Sequence, residues 1–339
     1  MLYYAASNGY KSCVDYLLER GAKINSLEYL PVCNAAHHHH LEIVEKLIKA
    51  GANCNDKDHS QNNLLHWICR TTTGTKEEEK LMKFVLENSK EKPNPFIGDL
   101  DGDTPMHLAM RYGNIGIAEI LLDYYYKTTG DNQKLNQKKK GNNKLLEVLN
   151  VRGDNVFLSS CENGWGWSMA SIRLIIKHGG NMYAVNKRGN SALHIAAKEG
   201  NITLVKFLLS NKFDIEQTNN IGNTPLMEAC TMNRNLGVVQ LLLKRSANIE
   251  TKNKKGFTAV DIAAHRFNLD ILFYLIGKQH KKEMMEFIFA KLQDFDKRIE
   301  VYEKKKLTKK VKKGYGDGFY DEDEDGCIEF SDEDRKSTR

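Results

Sequence analysis

The chain of 339 residues carries a formal net charge of +6, with 41% hydrophobic and 28% charged residues, so it can bury a long core and no nucleic-acid partner is expected. No apolar run reaches the roughly 18 residues needed to cross a bilayer, and the N-terminus opens on an amphipathic stretch rather than an export leader. Seven cysteines at 13, 33, 54, 69, 161, 230 and 327 form an odd, scattered set that reads as reduced thiols; disulfide stapling is not expected, and the expected location is cytoplasmic, with the nucleus as the alternative.

Taken in chain order, the first element is a helix pair running from Tyr3-Tyr4-Ala5-Ala6 to Gly21-Ala22. It lacks the turn and threonine of later units, with Met1 where they place proline, which implies a degenerate cap or an N-terminal truncation. The second pair follows Glu28 and contains Leu30-Pro31-Val32-Cys33, Ala35-Ala36 and the run His37-His38-His39-His40 before Leu41 to Leu47 and Gly51-Ala52. The third follows Gln61 with Leu64-Leu65-His66, and is interrupted from Thr71 to Glu79 by threonines that lead into an acidic helix start. Gly102-Asp103-Thr104-Pro105-Met106-His107-Leu108-Ala109 opens the fourth, Gly189-Asn190-Ser191-Ala192-Leu193-His194-Ile195-Ala196-Ala197 the sixth, and Gly222-Asn223-Thr224-Pro225-Leu226 the seventh. Turn glycines Gly153, Gly189, Gly222 and Gly256 follow one another at 36, 33 and 34 residues, whereas Gly102 precedes Gly153 by 51. The excess marks an insertion between Tyr124-Tyr125-Tyr126 and Leu149, around Lys138-Lys139-Lys140-Gly141, whose composition reads as a solvated loop. A smaller insertion, Gly164-Trp165-Gly166-Trp167-Ser168, separates the helices of the fifth pair.

The recurring signature has a physical basis. Threonine or serine at the helix boundary accepts a bond from an orphan backbone N–H, and proline just inside lacks an N–H that would go unpaired. Small alanines let the first helix approach its neighbours, while a second helix such as Leu204-Val205-x-Phe207-Leu208-Leu209 supplies the apolar face. Glycine pairs at Gly21-Ala22, Gly51-Ala52 and Gly179-Gly180 end the second helices in a left-handed residue. Neither helix buries its face alone, so units must stack.

A unit of about 33 residues with Thr-Pro-Leu-His-x-Ala near its start resembles the ankyrin repeat. The resemblance implies an all-α solenoid with hairpin-like turns over residues 1–277, in eight units of approximately 1–25, 26–57, 58–98, 99–149, 150–185, 186–218, 219–252 and 253–277. It further implies binding of a partner protein, as a monomer, through the turn tips and the exposed first-helix face that line the concave side in such proteins. Laid on this register, the candidate contacts are Arg111 and Tyr112; Lys187, Arg188, Asn190, Lys198 and Glu199; Ile221, Asn223 and Met232; and Lys254, Lys255, His265 and Arg266. Trp165 and Trp167 join them because exposed tryptophan is enriched at contact hot spots, although packing over the neighbouring repeat is the plainer reading. The basic strip favours an acidic segment on the partner. His66, His107 and His194 are read as structural, bonded locally at the turn, and His40 matches the family's Gly-His step with His39 in place of glycine. A zinc site built from the histidine run with Cys33 and Cys54 fits no known spacing. The Arg152-Gly153-Asp154 triplet coincides with a repeat turn and carries no adhesion function.

Beyond the repeats, Met285, Ile288, Leu292, Phe295, Ile299 and Tyr302 form one apolar seam on an expected helix over 278–313, a short coiled-coil-like pattern read as docking on the solenoid end, which runs into Lys304-Lys305-Lys306, Lys309-Lys310 and Lys312-Lys313. Residues 314–339 form an acidic tail. Asp321-x-Asp323-x-Asp325-Gly326 with Asp332 reproduces most of a calcium loop, but Asp332 replaces the bidentate glutamate and the glycine-rich flank is a poor helix. The expectation is a polyanionic tail, a candidate occupant of the basic strip, and no cofactor. A calcium-responsive adaptor using Asp321, Asp323, Asp325 and Asp332, and the recognition part of a larger enzyme or channel, are the alternatives. No phosphate loop, nucleophile elbow or His-Glu-x-x-His helix is present, so catalysis is not expected.

Overall fold

The computed structural model describes residues 1–24, 30–70, 75–130, 143–162 and 169–279. Among them, sixteen α-helices form eight pairs. These are α1 (Leu2–Ser7) with α2 (Lys11–Glu19), α3 (Pro31–His37) with α4 (Leu41–Lys49), α5 (Leu64–Cys69) with α6 (Lys76–Asn88), and α7 (Pro105–Arg111) with α8 (Ile115–Thr129). They continue as α9 (Val156–Cys161) with α10 (Met169–Lys177), α11 (Ala192–Glu199) with α12 (Ile202–Ser210), α13 (Pro225–Ala229) with α14 (Leu236–Lys244), and α15 (Ala259–His265) with α16 (Leu269–Gln279). The chain is all-α; the one extended pairing among the described residues is a single antiparallel bridge between Val185 and Ser191.

Local chemistry sets the helix ends. Thr224 and Thr258 accept from the backbone N–H of Met227 and Asp261, Asn63 and Asn155 do the same for His66 and Leu158, and Pro31, Pro105 and Pro225 sit in the first turn where no N–H is needed. In α6 the acidic start forms a full capping box: Thr75 accepts from Glu78 N–H while the Glu78 carboxylate accepts from Thr75 N–H. Left-handed residues close the helices, glycine at Gly21, Gly51 and Gly179 but Lys212 and Ser246 in the sixth and seventh pairs.

Each first helix packs on the next, from α1 through α15, and second helices pack likewise from α4 to α10 and from α12 to α16. Ala36, Ala109, Ala196, Ala229 and Ala263 lie fully or almost fully buried between first helices, where a larger side chain would force them apart. Leu47, Leu81, Leu121, Ile172, Leu208 and Leu242 fill the seam beneath the second helices. Leu208→Ala or Leu242→Ala should therefore lower stability by about 2 to 5 kcal/mol. Circular dichroism melts read this directly, and an unchanged melting temperature in both would contradict the burial.

The long insertion is not all solvated loop. α8 runs on to Thr129 and stops at left-handed Gly130, and Leu145 and Leu146 are completely buried, because two adjacent leucines in a lysine- and asparagine-rich stretch find the seam beside the fifth pair. Residues 131–142, Trp165 and Trp167 lie outside the described residues, as do the 285–302 seam, the lysine run and Asp321, Asp323, Asp325 and Asp332.

Candidate functional site

The turns that precede the first helices are built from one recurring pattern, Asx-x-x-Gly-Asx, at 99–103, 150–154, 186–190 and 219–223. In the clearest copy, Asn219 Oδ1 accepts from the N–H groups of Ile221 and Asn223, and Gly222 N–H closes back on Asn219. Gly222 is left-handed (φ 82°), and a Cβ there would sit 2.7 Å from Lys254 N, so both conformation and close approach demand glycine. At 61 the same left-handed position is held by glutamine (φ 58°).

Successive turns are bonded into one ribbon. The N–H of Leu100, Val151, Lys187, Asn220 and Lys254 donates to the carbonyl of Ser60, Asp101, Arg152, Arg188 and Ile221 respectively, at 2.8 to 3.2 Å. Below the backbone runs a second ladder of side chains. Asn150, Asn186, Asn219 and Asn253 each donate from Nδ2 to Oδ1 of Asp103, Asp154, Asn190 and Asn223 in the preceding turn. A third set of links comes from the signature histidines: Nδ1 of His66, His107 and His194 takes the N–H of Asn63, Thr104 and Ser191, and Nε2 donates to the carbonyl of Asp103, Asp154 and Asn223 in the next unit. Burial pushes these imidazoles down, His66 to about 4. His40 closes the first seam in another way, through Ser7 O, with left-handed His39 (φ 59°) standing where glycine would.

Between the fourth and fifth pairs lies a charged cluster. Arg111 Nη1 is 2.7 Å from Asp103 Oδ2 and Nη2 donates to Ser159 Oγ at 2.7 Å, with Glu162 Oε2 at 3.8 Å. Arg152 meets Glu162 at 2.7 Å and Asp154 at 3.3 Å. Burial would raise the Asp103 carboxyl, but Arg111 and the Asn150 amide outweigh it and hold it below the usual carboxylate range. For Glu162 burial wins over both arginines and its carboxyl is raised.

This geometry sorts the sequence-derived candidates. Lys187, Lys254 and Lys255 are exposed on the ribbon and form no ion pair among the described residues; Arg188 and Ile221 stand exposed beside them. Lys198 and Glu199 are half-buried at the end of α11, and Glu199 takes Arg234 at 3.4 Å. Met232 is exposed after α13, Tyr112 half-buried after α7, and His265 half-buried with Arg266 exposed at the end of α15. Three candidates have side chains bonded to other residues of the array. Asn223 is buried, its amide donated to Glu228 and its oxygen taken by Asn253. Asn190 spends its oxygen on Asn219, and Arg111 spends its charge on Asp103. All three side chains are engaged within the array. The Arg-Gly-Asp triplet is likewise structural, with Asp154 buried and bonded to Asn186. Sequence reasoning passed over Leu100 and Val151, exposed on the ribbon at the positions that Lys187 and Lys254 hold in later turns.

Cys33 and Cys54 are buried whereas His37, His38 and His39 are exposed. Among the described residues, the one group of three such side chains close enough to share an ion is Asp99, Asp101 and Asp103; there Asp99 Oδ1 accepts from two backbone N–H groups and Asp103 is paired with Arg111. No helix among the described residues is long and apolar enough to cross a membrane.

Comparison with known proteins agrees with this architecture. The chain is 32% identical over 128 residues to ankyrin repeat protein YahD of Escherichia coli (strain K12), covering 36% of this chain and 62% of that one. It is 27% identical over 239 residues to ankyrin repeat protein L271 of Acanthamoeba polyphaga mimivirus, covering 68% and 30%. It is also 27% identical over 212 residues to transient receptor potential cation channel subfamily A member 1 of Homo sapiens, covering 62% and 17%. The chain thus spans less than two thirds of each of these relatives. Residues 32–134, 133–220 and 204–285 match the family model described as ankyrin repeats in three copies, and residues 1–29 match the single ankyrin repeat. From Met1 to beyond the last described helix, the chain belongs to the ankyrin repeat proteins.

Proposed function

We propose that the chain works as an adaptor: a protein-binding module, without catalysis, whose partner lies along the turn ribbon and presents an acidic segment to it. Ankyrin repeats are protein–protein interaction modules. The observation that carries the finer reading is the set Lys187, Lys254 and Lys255, exposed on turns locked together by backbone hydrogen bonds and left without an ion-pair partner among the described residues. A fixed ribbon costs a partner little ordering entropy, and opposite charge steers the encounter.

The test is a glutamate-rich peptide followed by fluorescence anisotropy. Lys187→Glu, Lys254→Glu and Lys255→Glu combined should weaken binding at least tenfold at low salt, with the difference shrinking as salt rises. Because the three lysine side chains form no ion pair among the described residues, the melting temperature should change little. Equal affinity of the variant and the parent protein would remove the acidic-segment reading.

A further inference from the structure

The ribbon is not uniform along its length. Leu100 and Val151 occupy the same second position of two consecutive turns and are 64% and 58% exposed, and Ile221 two turns on is 51% exposed. The backbone N–H of Leu100 and Val151 is committed to the preceding turn, which fixes where each residue stands on the ribbon. Single apolar residues on a surface are ordinary. These two differ because the fold does not ask for them: the equivalent position is Lys187, Asn220 and Lys254 in the sixth, seventh and eighth units. Asp101 is exposed beside them and the charge of Arg152 is met by Asp154 and Glu162, so this end offers an acidic partner residue no unpaired cation comparable to Lys187, Lys254 and Lys255 further along.

We infer that the partner segment is a polypeptide with a fixed polarity, apolar side chains over the fourth and fifth turns and acidic side chains over the sixth to eighth. This rests on the acidic-segment reading above and gives it a register. Charge governs arrival along the basic half, and burial of apolar area at Leu100 and Val151 governs how long the segment stays. A segment that is acidic throughout leaves the two apolar side chains in water and meets Asp101, so it binds more weakly.

Two fluorescein-labelled peptides of equal net charge test this, one of glutamate and glycine only, the other with a pair of leucines at one end of the same glutamate run. The leucine peptide should bind about tenfold more tightly, from burial of two apolar side chains. Leu100→Asn combined with Val151→Asn should abolish that preference and leave the glutamate–glycine peptide unaffected, with the melting curve retained because the position takes asparagine at 220. Equal affinities for the two peptides, or a preference that survives the double variant, would overturn the polarity while leaving the acidic-segment reading intact. Failure of both peptides to bind would overturn both.

Discussion

Arg111→Ala destabilises the array by about 3 to 5 kcal/mol at neutral pH, the cost of stranding a buried charge. Asp103 is 1% exposed at its side chain and Arg111 19%, and the guanidinium is its counterion. Ser159, fully buried, loses its donor at the same time. Without Arg111 the desolvation of the Asp103 carboxyl is opposed only by the Asn150 amide and His107, so its affinity for a proton rises. Protonation then relieves the penalty. Urea unfolding should show the gap between variant and parent widest near pH 7 and narrower near pH 4.5. Coincident curves at pH 7 would mean that the ion pair contributes nothing.

Mild acid weakens the seams that use a histidine. His66 is held neutral by burial, its carbonyl partner at Asp103 only partly compensating, so its folded pKa is about 4 against 6.5 for the free side chain. A depressed histidine binds its proton more readily in the unfolded chain; its contribution is complete above pH 6.5 and is lost as pH falls from there towards 4. That interval is worth about 3 kcal/mol for His66 alone. His107 and His194 shift in the same direction. Raised carboxyls such as Glu162 and Asp99 act oppositely, so the informative quantity is a difference. His66→Gln should lose stability less steeply than the parent between pH 6.5 and 4.5 in urea titrations, and parallel curves would rule out the buried imidazole as the cause.

The family and the helical fold were legible because threonine, proline and alanine act locally: a cap, a missing donor and a small side chain each work within one turn of their own position. His66, His107 and His194 were legible for the same reason at Nδ1, although the bond from Nε2 to the next unit is set by a carbonyl at least 29 residues away. The bonds of Asn190 and Asn223 were not legible because an asparagine on a turn looks like surface until its partner is placed. Their partners are Asn219 and Asn253, in the following turn. A signal was present, since Asx recurs at both the first and fifth positions of consecutive turns, but it becomes informative only when the turns are stacked. Leu145 and Leu146 were hidden by polar neighbours; their burial depends on packing beside the fifth helix pair, which the composition of the stretch does not signal.

The asparagine ladder also bears on how such an array changes length. Each rung joins a donor at the first position of one turn to an acceptor at the fifth position of the turn before, and the turn at 219–223 carries one of each. A duplicated copy of that turn with its helices brings its own donor for the unit behind and its own acceptor for the unit ahead, so insertion or loss of a whole unit leaves no amide stranded. Growth by copying requires no redesign of the junction, whereas replacing both Asn219 and Asn223 within one turn breaks two rungs at once.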